Sequence, residues 1–310
     1  MKRPIQKRTL PAEVVGRARS AGAVGERWLA ELDDMIAELE EQWQVTVGDA
    51  LTGGSHAFAA PATGKNGEQY ILKIDMPEDT GGNFAGGIEA MKAADGRGYA
   101  QLYAYAPQRK ACLLERLGKP IGQLGYTVEE QIRIICGVLL DAWTIPAGDA
   151  ALSTGGTGWF EEFIADSYEK LGCSCPAEVI AQAYAYLRAR AAEEKPAAFV
   201  LVHGDAHNGN VLETLDGSGY RLIDPDGLLY DKAYDLGVVM REWPEEYETD
   251  PQENGRARCR LLHELTGVPE QAIWEWGYIQ TVSTALVLLL TGREELGRKM
   301  LWVAEKWLGA

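Results

Sequence analysis

Basic residues are in short supply: 30 Lys and Arg stand against 46 Asp and Glu, a formal net charge of −16. That balance argues against nucleic acid as a partner, because a phosphate backbone needs a basic face. Cysteine is scarce as well, with five residues in 310. Cys173 and Cys175 form a lone C-x-C with no second pair and no nearby histidine cluster, which predicts neither a zinc site nor a disulfide framework. Reduced structural thiols in a cytosol are expected. No apolar segment follows the basic stretch from Met1 to Arg8, which argues against a signal peptide. The longest apolar run, Ala285 to Leu290 with its flanks, falls far short of the roughly 20 residues of a spanning helix. A cytoplasmic protein without membrane contact is the expectation. Repeats and low-complexity tracts are absent too, which sets aside solenoids and propellers.

What is present is unevenly placed. Residues 1–117 carry 14 Lys and Arg against 16 Asp and Glu, whereas residues 118–310 carry 16 against 30. A cleft in the second part would attract cations and repel anions; the plain alternative is that the charge only keeps the protein dispersed. Nine tryptophans sit mostly among apolar residues and are expected in the core.

Trp28, Leu29, Leu32, Ile36, Leu39 and Trp43 recur at three- and four-residue steps and predict an amphipathic helix. The stretches 45–48, 57–60 and 69–74 read as strands, with Asn66-Gly67 as a hairpin signal. Helix is expected over 86–105 and a short strand over 111–114. Gly118-Lys119-Pro120 and Gly122 then break the pattern, which places a boundary between residues 117 and 118. Beyond it helices are predicted at 129–144, 160–170, 177–192 and 269–290, interrupted by strands at 199–202 and 220–223. A β-rich first lobe, 1–117, and a mostly helical second lobe, 118–310, make an α+β plan.

The chemistry concentrates in Val202-His203-Gly204-Asp205-Ala206-His207-Asn208-Gly209-Asn210-Val211-Leu212. An apolar strand ends at His203, and a polar turn presents Asp205 and Asn210 five residues apart. A second apolar strand, Arg221-Leu222-Ile223, delivers Asp224 nineteen residues after Asp205. Hard oxygen ligands such as Asn210 and Asp224 suit Mg²⁺ carrying substrate phosphates. Asp205 then remains to orient an alcohol and accept its proton. His203, Asp205, His207 and Asp224 could instead form a metal-hydrolase site, although the chain has only four histidines.

The pattern H-G-D-x-H-x-x-N followed by Ile223-Asp224-Pro225 resembles the signature of the aminoglycoside phosphotransferase family, which has a two-lobed protein kinase-like fold. The continuation through Asp226, Gly227, Leu228, Asp231 and Tyr234-Asp235-Leu236 is most similar to its streptomycin 6-kinase and hydroxyurea phosphotransferase branch. The resemblance implies ATP or GTP and Mg²⁺ as cofactors, Asp205 as catalytic base, and Asn210 and Asp224 as metal ligands. It implies that His203 braces the loop and that Asp235 is a buried structural carboxylate. Lys73, mid-strand, would bridge the α- and β-phosphates with Glu89 as its helix partner, unless alternation turns it outward. Gly53, Gly54 and Ser55 would form the phosphate-covering loop, although they depart from G-x-G-x-x-G, and backbone groups at Glu115 and Leu117 would hold adenine. Gly227 stands third after the metal aspartate rather than second, which speaks against a mobile activation segment and a protein substrate. Asp226, Asp231, Glu161, Glu162, Asp166 and Glu242, with Glu245 and Glu246, are the acceptor-pocket candidates. Together they would suit a cationic, hydroxyl-rich small molecule such as an aminoglycoside. Hydroxyurea, another antibiotic, a sugar or an amino alcohol, or a regulatory relative without activity, are the other readings.

Overall fold

The computed structural model describes residues 8–52, 57–77, 83–146 and 150–309. Two helices, α1 (Ala12–Ser20) and α2 (Ala23–Trp43), precede a five-stranded sheet. Trp28, Leu32, Met35, Ile36 and Leu39 line the buried side of α2, as their spacing requires. The sheet is antiparallel, with strands β1 (Val45–Val47), β2 (Ala57–Gly64), β3 (Gln69–Asp75), β4 (Leu102–Ala106) and β5 (Ala111–Glu115) in the order β1-β2-β3-β5-β4.

Strand periodicity sorts the side chains of this sheet onto two covered faces. Leu72, Ile74, Phe58, Ala60 and Leu113 join α2 in one cluster. Cys112, Leu114 and Ile71 meet Ile88 and Met91 of α3 (Phe84–Ala94) on the other. Each fully buried Leu, Ile or Phe contributes roughly 1.5–3 kcal/mol relative to exposure, so both layers stabilise the sheet. Lys73 follows the register of Ile71 and pairs with Cys112, which puts it on the α3 face. The expected helix over 86–105 is shorter than its sequence pattern. Asp95 turns left-handed at φ 46°, Gly96 and Gly98 also have positive φ, and the chain re-emerges as edge strand β4.

The remainder is mostly helical. A capping box formed by Thr127 and Glu130 starts α4 (Val128–Ala142). After β6 (Ser153–Thr154) come α5 (Gly158–Lys170) and α6 (Ala177–Glu193), then β7 (Val200–Val202). β8 (Val211–Glu213) and β9 (Tyr220–Leu222) form a hairpin, and β10 (Leu228–Tyr230) lies between β6 and β7. The chain finishes with α7 (Lys232–Arg241), α8 (Pro251–Thr266), α9 (Glu270–Leu290) and α10 (Glu294–Lys306). A Cβ on Gly237 would lie 2.9 Å from the Trp276 backbone, so α7 and α9 cross almost backbone to backbone. One expectation needs correction here: α9 is long and apolar enough, by length and composition, to cross a membrane. Of its apolar 18-residue stretch, 78% is buried inside the fold, where Trp274, Trp276, Tyr278 and Ile279 join the main core. The sequence pattern sees only its last six residues as a continuous run because Glu275, Gln280, Thr281, Ser283 and Thr284 interrupt it, and the first four of these are buried.

Candidate active site

The hairpin β8–β9 brings the two distant motifs side by side. Val211 pairs with Leu222, and just beyond the ladder the Ile223 N–H donates to Asn210 O at 3.0 Å. The Asp226 N–H donates to His203 O at 2.8 Å, closing the second connection. Asp205, Asn210 and Asp224 thus leave neighbouring backbone segments. Asn210 Nδ2 donates to the Asp205 carbonyl at 3.0 Å, which commits its amide nitrogen and leaves Oδ1 as the end able to act as a ligand. Asp224 sits at φ 57°, an uncommon left-handed conformation for a residue with a Cβ.

His203 is fully buried and stacks on Tyr99 with ring centroids 5.9 Å apart. Its Nδ1 accepts the Asp205 N–H at 3.1 Å, so Nε2 must carry the proton that goes to Ile223 O at 2.7 Å. Burial holds its pKa below the ordinary imidazole value, consistent with that neutral tautomer. Both ring nitrogens are committed, so His203 has no free nitrogen to offer a metal, which speaks against the hydrolase alternative. Asp235 takes three N–H donors: Trp143 Nε1 at 2.9 Å, His203 N at 3.0 Å and Gly204 N at 2.8 Å. Gly204 has φ 92°, and a Cβ there would fall 2.3 Å from Asp226 Oδ2. The tight H-G-D turn therefore seats the Asp226 carboxylate against the loop. Burial, then repulsion from Asp205 and Asp235, pushes the Asp226 carboxyl up to about 7.

Across the cleft, Lys73 reaches Asp224 Oδ1 at 2.8 Å and Asp75 Oδ1 at 3.2 Å. Burial disfavours the ammonium charge, but Asp224 and Asp75 outweigh it and hold the Lys73 pKa above its ordinary value. Burial likewise opposes the Asp224 charge, yet Lys73 holds that carboxyl below its usual range. The Asp224 side chain remains 42% exposed. This bridge ties the sheet to the segment that carries Asp224.

The sequence profile of the aminoglycoside/hydroxyurea antibiotic resistance kinases matches residues 42–290. The chain belongs to that family. It is 24% identical to a streptomycin 6-kinase of Streptomyces glaucescens over 87% of each chain. It is 26% identical to a hydroxyurea phosphotransferase of Kitasatospora aureofaciens, covering 97% of this chain and 86% of that one. Among solved structures, a choline kinase from Streptococcus pneumoniae superposes with a TM-score of 0.60 at 17% identity, over 90% of this chain and 99% of the other. The two-lobed protein kinase-like fold expected from the sequence is therefore the fold of this chain. It is a phosphotransferase with an alcohol group as acceptor.

For this kinase, several sequence expectations meet the structure differently. Glu89 does not hold Lys73; it bonds Lys92 at 2.8 Å on its own helix. The reason is steric: α3 turns Gly87 toward the loop after Asp224, where a Cβ would lie 2.8 Å from Pro225 O. Asp75, two residues along the same strand, takes the place instead. Asp231 caps α7 through Ala233 N at 3.1 Å. Glu161, Glu162 and Asp166 lie on the exposed face of α5 and share no hydrogen bond or ion pair with the loop among the described residues. Those three are not brought to the site. Glu242 is: it lies 4.0 Å from Arg241 Nε, burial raises its pKa, and Arg241, His207 and Asp205 all act on it. Glu246 pairs with Arg258 at 3.3 Å. Glu115 closes β5 with its N–H on Gln101 O at 2.8 Å, whereas the Leu117 N–H takes no backbone hydrogen bond among the described residues. Gly53, Gly54 and Ser55 lie outside the described residues.

The sequence reading missed Asp75 and Arg241. Asp75 is visible only as the second residue on the Lys73 face of an alternating strand. Asp75→Asn is expected to weaken nucleotide binding about tenfold, roughly 1.4 kcal/mol, while Glu89→Gln leaves it unchanged. Titration with a fluorescent nucleotide analogue separates the two, and the reverse order would restore Glu89 as the partner.

Proposed function

We propose that this enzyme transfers the γ-phosphoryl group of ATP or GTP, with Mg²⁺, to a hydroxyl of an aminoglycoside-type antibiotic such as streptomycin. The observation that carries the reading is the meeting of Lys73, Asp224, Asn210 and Asp205 across one cleft. Lys73 would release Asp224 and grip the α- and β-phosphates, with Asp75 keeping the ammonium in place. Asn210 Oδ1 and the second oxygen of Asp224 are hard donors that fit Mg²⁺, an ion that keeps several waters and takes few protein ligands. When bound, the cation neutralises charge on the phosphates. Asp205 would orient the acceptor hydroxyl and take its proton as the oxygen attacks phosphorus. Glu115 and Leu117 would present backbone groups to adenine.

The acceptor pocket would draw on Asp226 and Glu242, the two acidic candidates that lie near Asp205. With a net charge of −14 over residues 118–310, from 16 Lys and Arg against 30 Asp and Glu, a polycation would be attracted. Two streptomycin 6-kinases among the relatives support this choice. The hydroxyurea phosphotransferase, aligned over 97% of this chain, supports a second reading with a small neutral acceptor.

A coupled ADP-release assay across streptomycin, other aminoglycosides and hydroxyurea decides between them, and protection of a susceptible bacterium tests resistance. Turnover with none of these but with a sugar or amino alcohol would overturn both readings. Chelating divalent cations is expected to abolish transfer, and Asp224→Asn to raise the Mg²⁺ needed for half-maximal rate by about tenfold or more. Unchanged Mg²⁺ dependence would remove Asp224 from the metal site.

A further inference from the structure

Arg241 closes α7 and donates from Nη2 to Asp205 Oδ1. Its other amino group is fixed from behind, donating from Nη1 to Gln280 Oε1 and to Thr284 Oγ1, both at 2.8 Å. Both partners belong to α9, one turn apart, on the helix that Gly237 allows α7 to approach. The guanidinium is thus held in a fork whose free end meets the carboxylate. Arg241 is 14% exposed and Asp205 41%, so the arginine reaches outward from the protein interior to a carboxylate at the cleft wall. Asp205 Oδ2 stays outside this pair and lies 3.5 Å from His207 Nε2.

The surroundings sharpen the point. Asp205, Asp226, Asp235 and Glu242 crowd together, and the Arg241 charge acts on Asp226 and Glu242 as well as on its bonded partner. Four carboxylates without that cation would repel one another and displace Asp205, whose side chain is the part-exposed one that Arg241 bonds. The same helix already sets the loop backbone through Asp235, six residues earlier. One helix therefore grips the loop at two places, main chain through Asp235 and side chain through Arg241.

We propose that Arg241 is a positioning residue that pins Oδ1 of Asp205 and leaves Oδ2 aimed at the acceptor hydroxyl. The inference rests on the reading of Asp205 as the base. It assigns Gln280 and Thr284 the task of keeping the guanidinium in register.

The test uses the full-length chain with Arg241→Ala, Arg241→Lys, Thr284→Val and Asp205→Asn. Arg241→Ala is expected to lower kcat about 10²-fold, the scale of an ångström-level misplacement, with KM for nucleotide and acceptor little changed. Millimolar guanidinium should restore about tenfold of that loss, and Arg241→Lys should fall between, since a point charge lacks the planar fork. Thr284→Val should lose a few-fold in kcat with the same KM pattern. Thr284→Val also covers the case in which Arg241→Ala does not fold. A rise in acceptor KM at constant kcat would instead make Arg241 a substrate ligand and overturn the proposal. So would full activity of Thr284→Val and Arg241→Lys together, or a folded Arg241→Ala that guanidinium fails to rescue. If Asp205→Asn itself turns over normally, the fault lies with the base assignment rather than with Arg241.

Discussion

Asp205→Asn is expected to reduce kcat by about 10²–10⁴-fold, the usual contribution of a positioned general base. Asparagine keeps the shape and one oxygen, so it can still accept from Arg241 at the position Oδ1 now holds. The Asp205 backbone oxygen, which receives Asn210 Nδ2, is untouched, and so is the N–H that bonds His203. None of the residues proposed to hold phosphates or metal changes, and nucleotide affinity should stay near that of the parent. The only group removed is the oxygen proposed to take the proton. Single-turnover phosphoryl transfer and nucleotide titration measure the two halves separately. A variant within tenfold of the parent rate would mean that the acceptor hydroxyl loses its proton elsewhere.

The portion of this arrangement visible in the sequence is the portion encoded by residues close together along the chain. The turn from His203 to Asn210 is a local object: strand, left-handed glycine, carboxylate and amide follow one another, and the following hairpin fixes where Asp224 returns. Alternation along β3 made Lys73 stand out among apolar neighbours. The partners of these residues were far harder to see. Choosing between Glu89 and Asp75 required knowing that Gly87 presses against Pro225 O, a contact between residues more than a hundred positions apart. Arg241 looks like an ordinary basic residue in the last turn of a helix, a place where the macrodipole favours one. Only the crossing of α7 over α9 turns it toward Asp205. Acidic residues read as pocket candidates divided by the same logic. Asp231 follows a strand and starts a helix, where an aspartate is used as a cap. The carboxylates of α5 face solvent, as most charged residues on amphipathic helices do.

Removing the Asp235 carboxylate is expected to cost the most stability. The group is fully buried, and three N–H donors converge on its two oxygens. Burial alone raises its pKa, while His203 and the donors from Gly204, Trp143 and the His203 backbone act in the opposite direction. Asn would retain one acceptor oxygen and place an N–H₂ against donors, leaving at least one buried N–H facing another. Losing buried charge-assisted bonds of this kind typically costs about 3–5 kcal/mol, a large share of the ~5–15 kcal/mol that holds a domain folded. The neighbouring Asp231→Ala, which removes only an exposed-end cap from the same helix, should cost about 1 kcal/mol. Urea unfolding of the two variants side by side gives the comparison, and it isolates the buried network from the general health of α7. Because His203 and Gly204 hang from Asp235, the surviving folded fraction should also have lowered kcat, with Lys73 and the nucleotide grip intact. Equal destabilisation by the two variants would mean that the loop is held by packing of Trp143, Tyr99 and His203 instead of by the carboxylate beneath it.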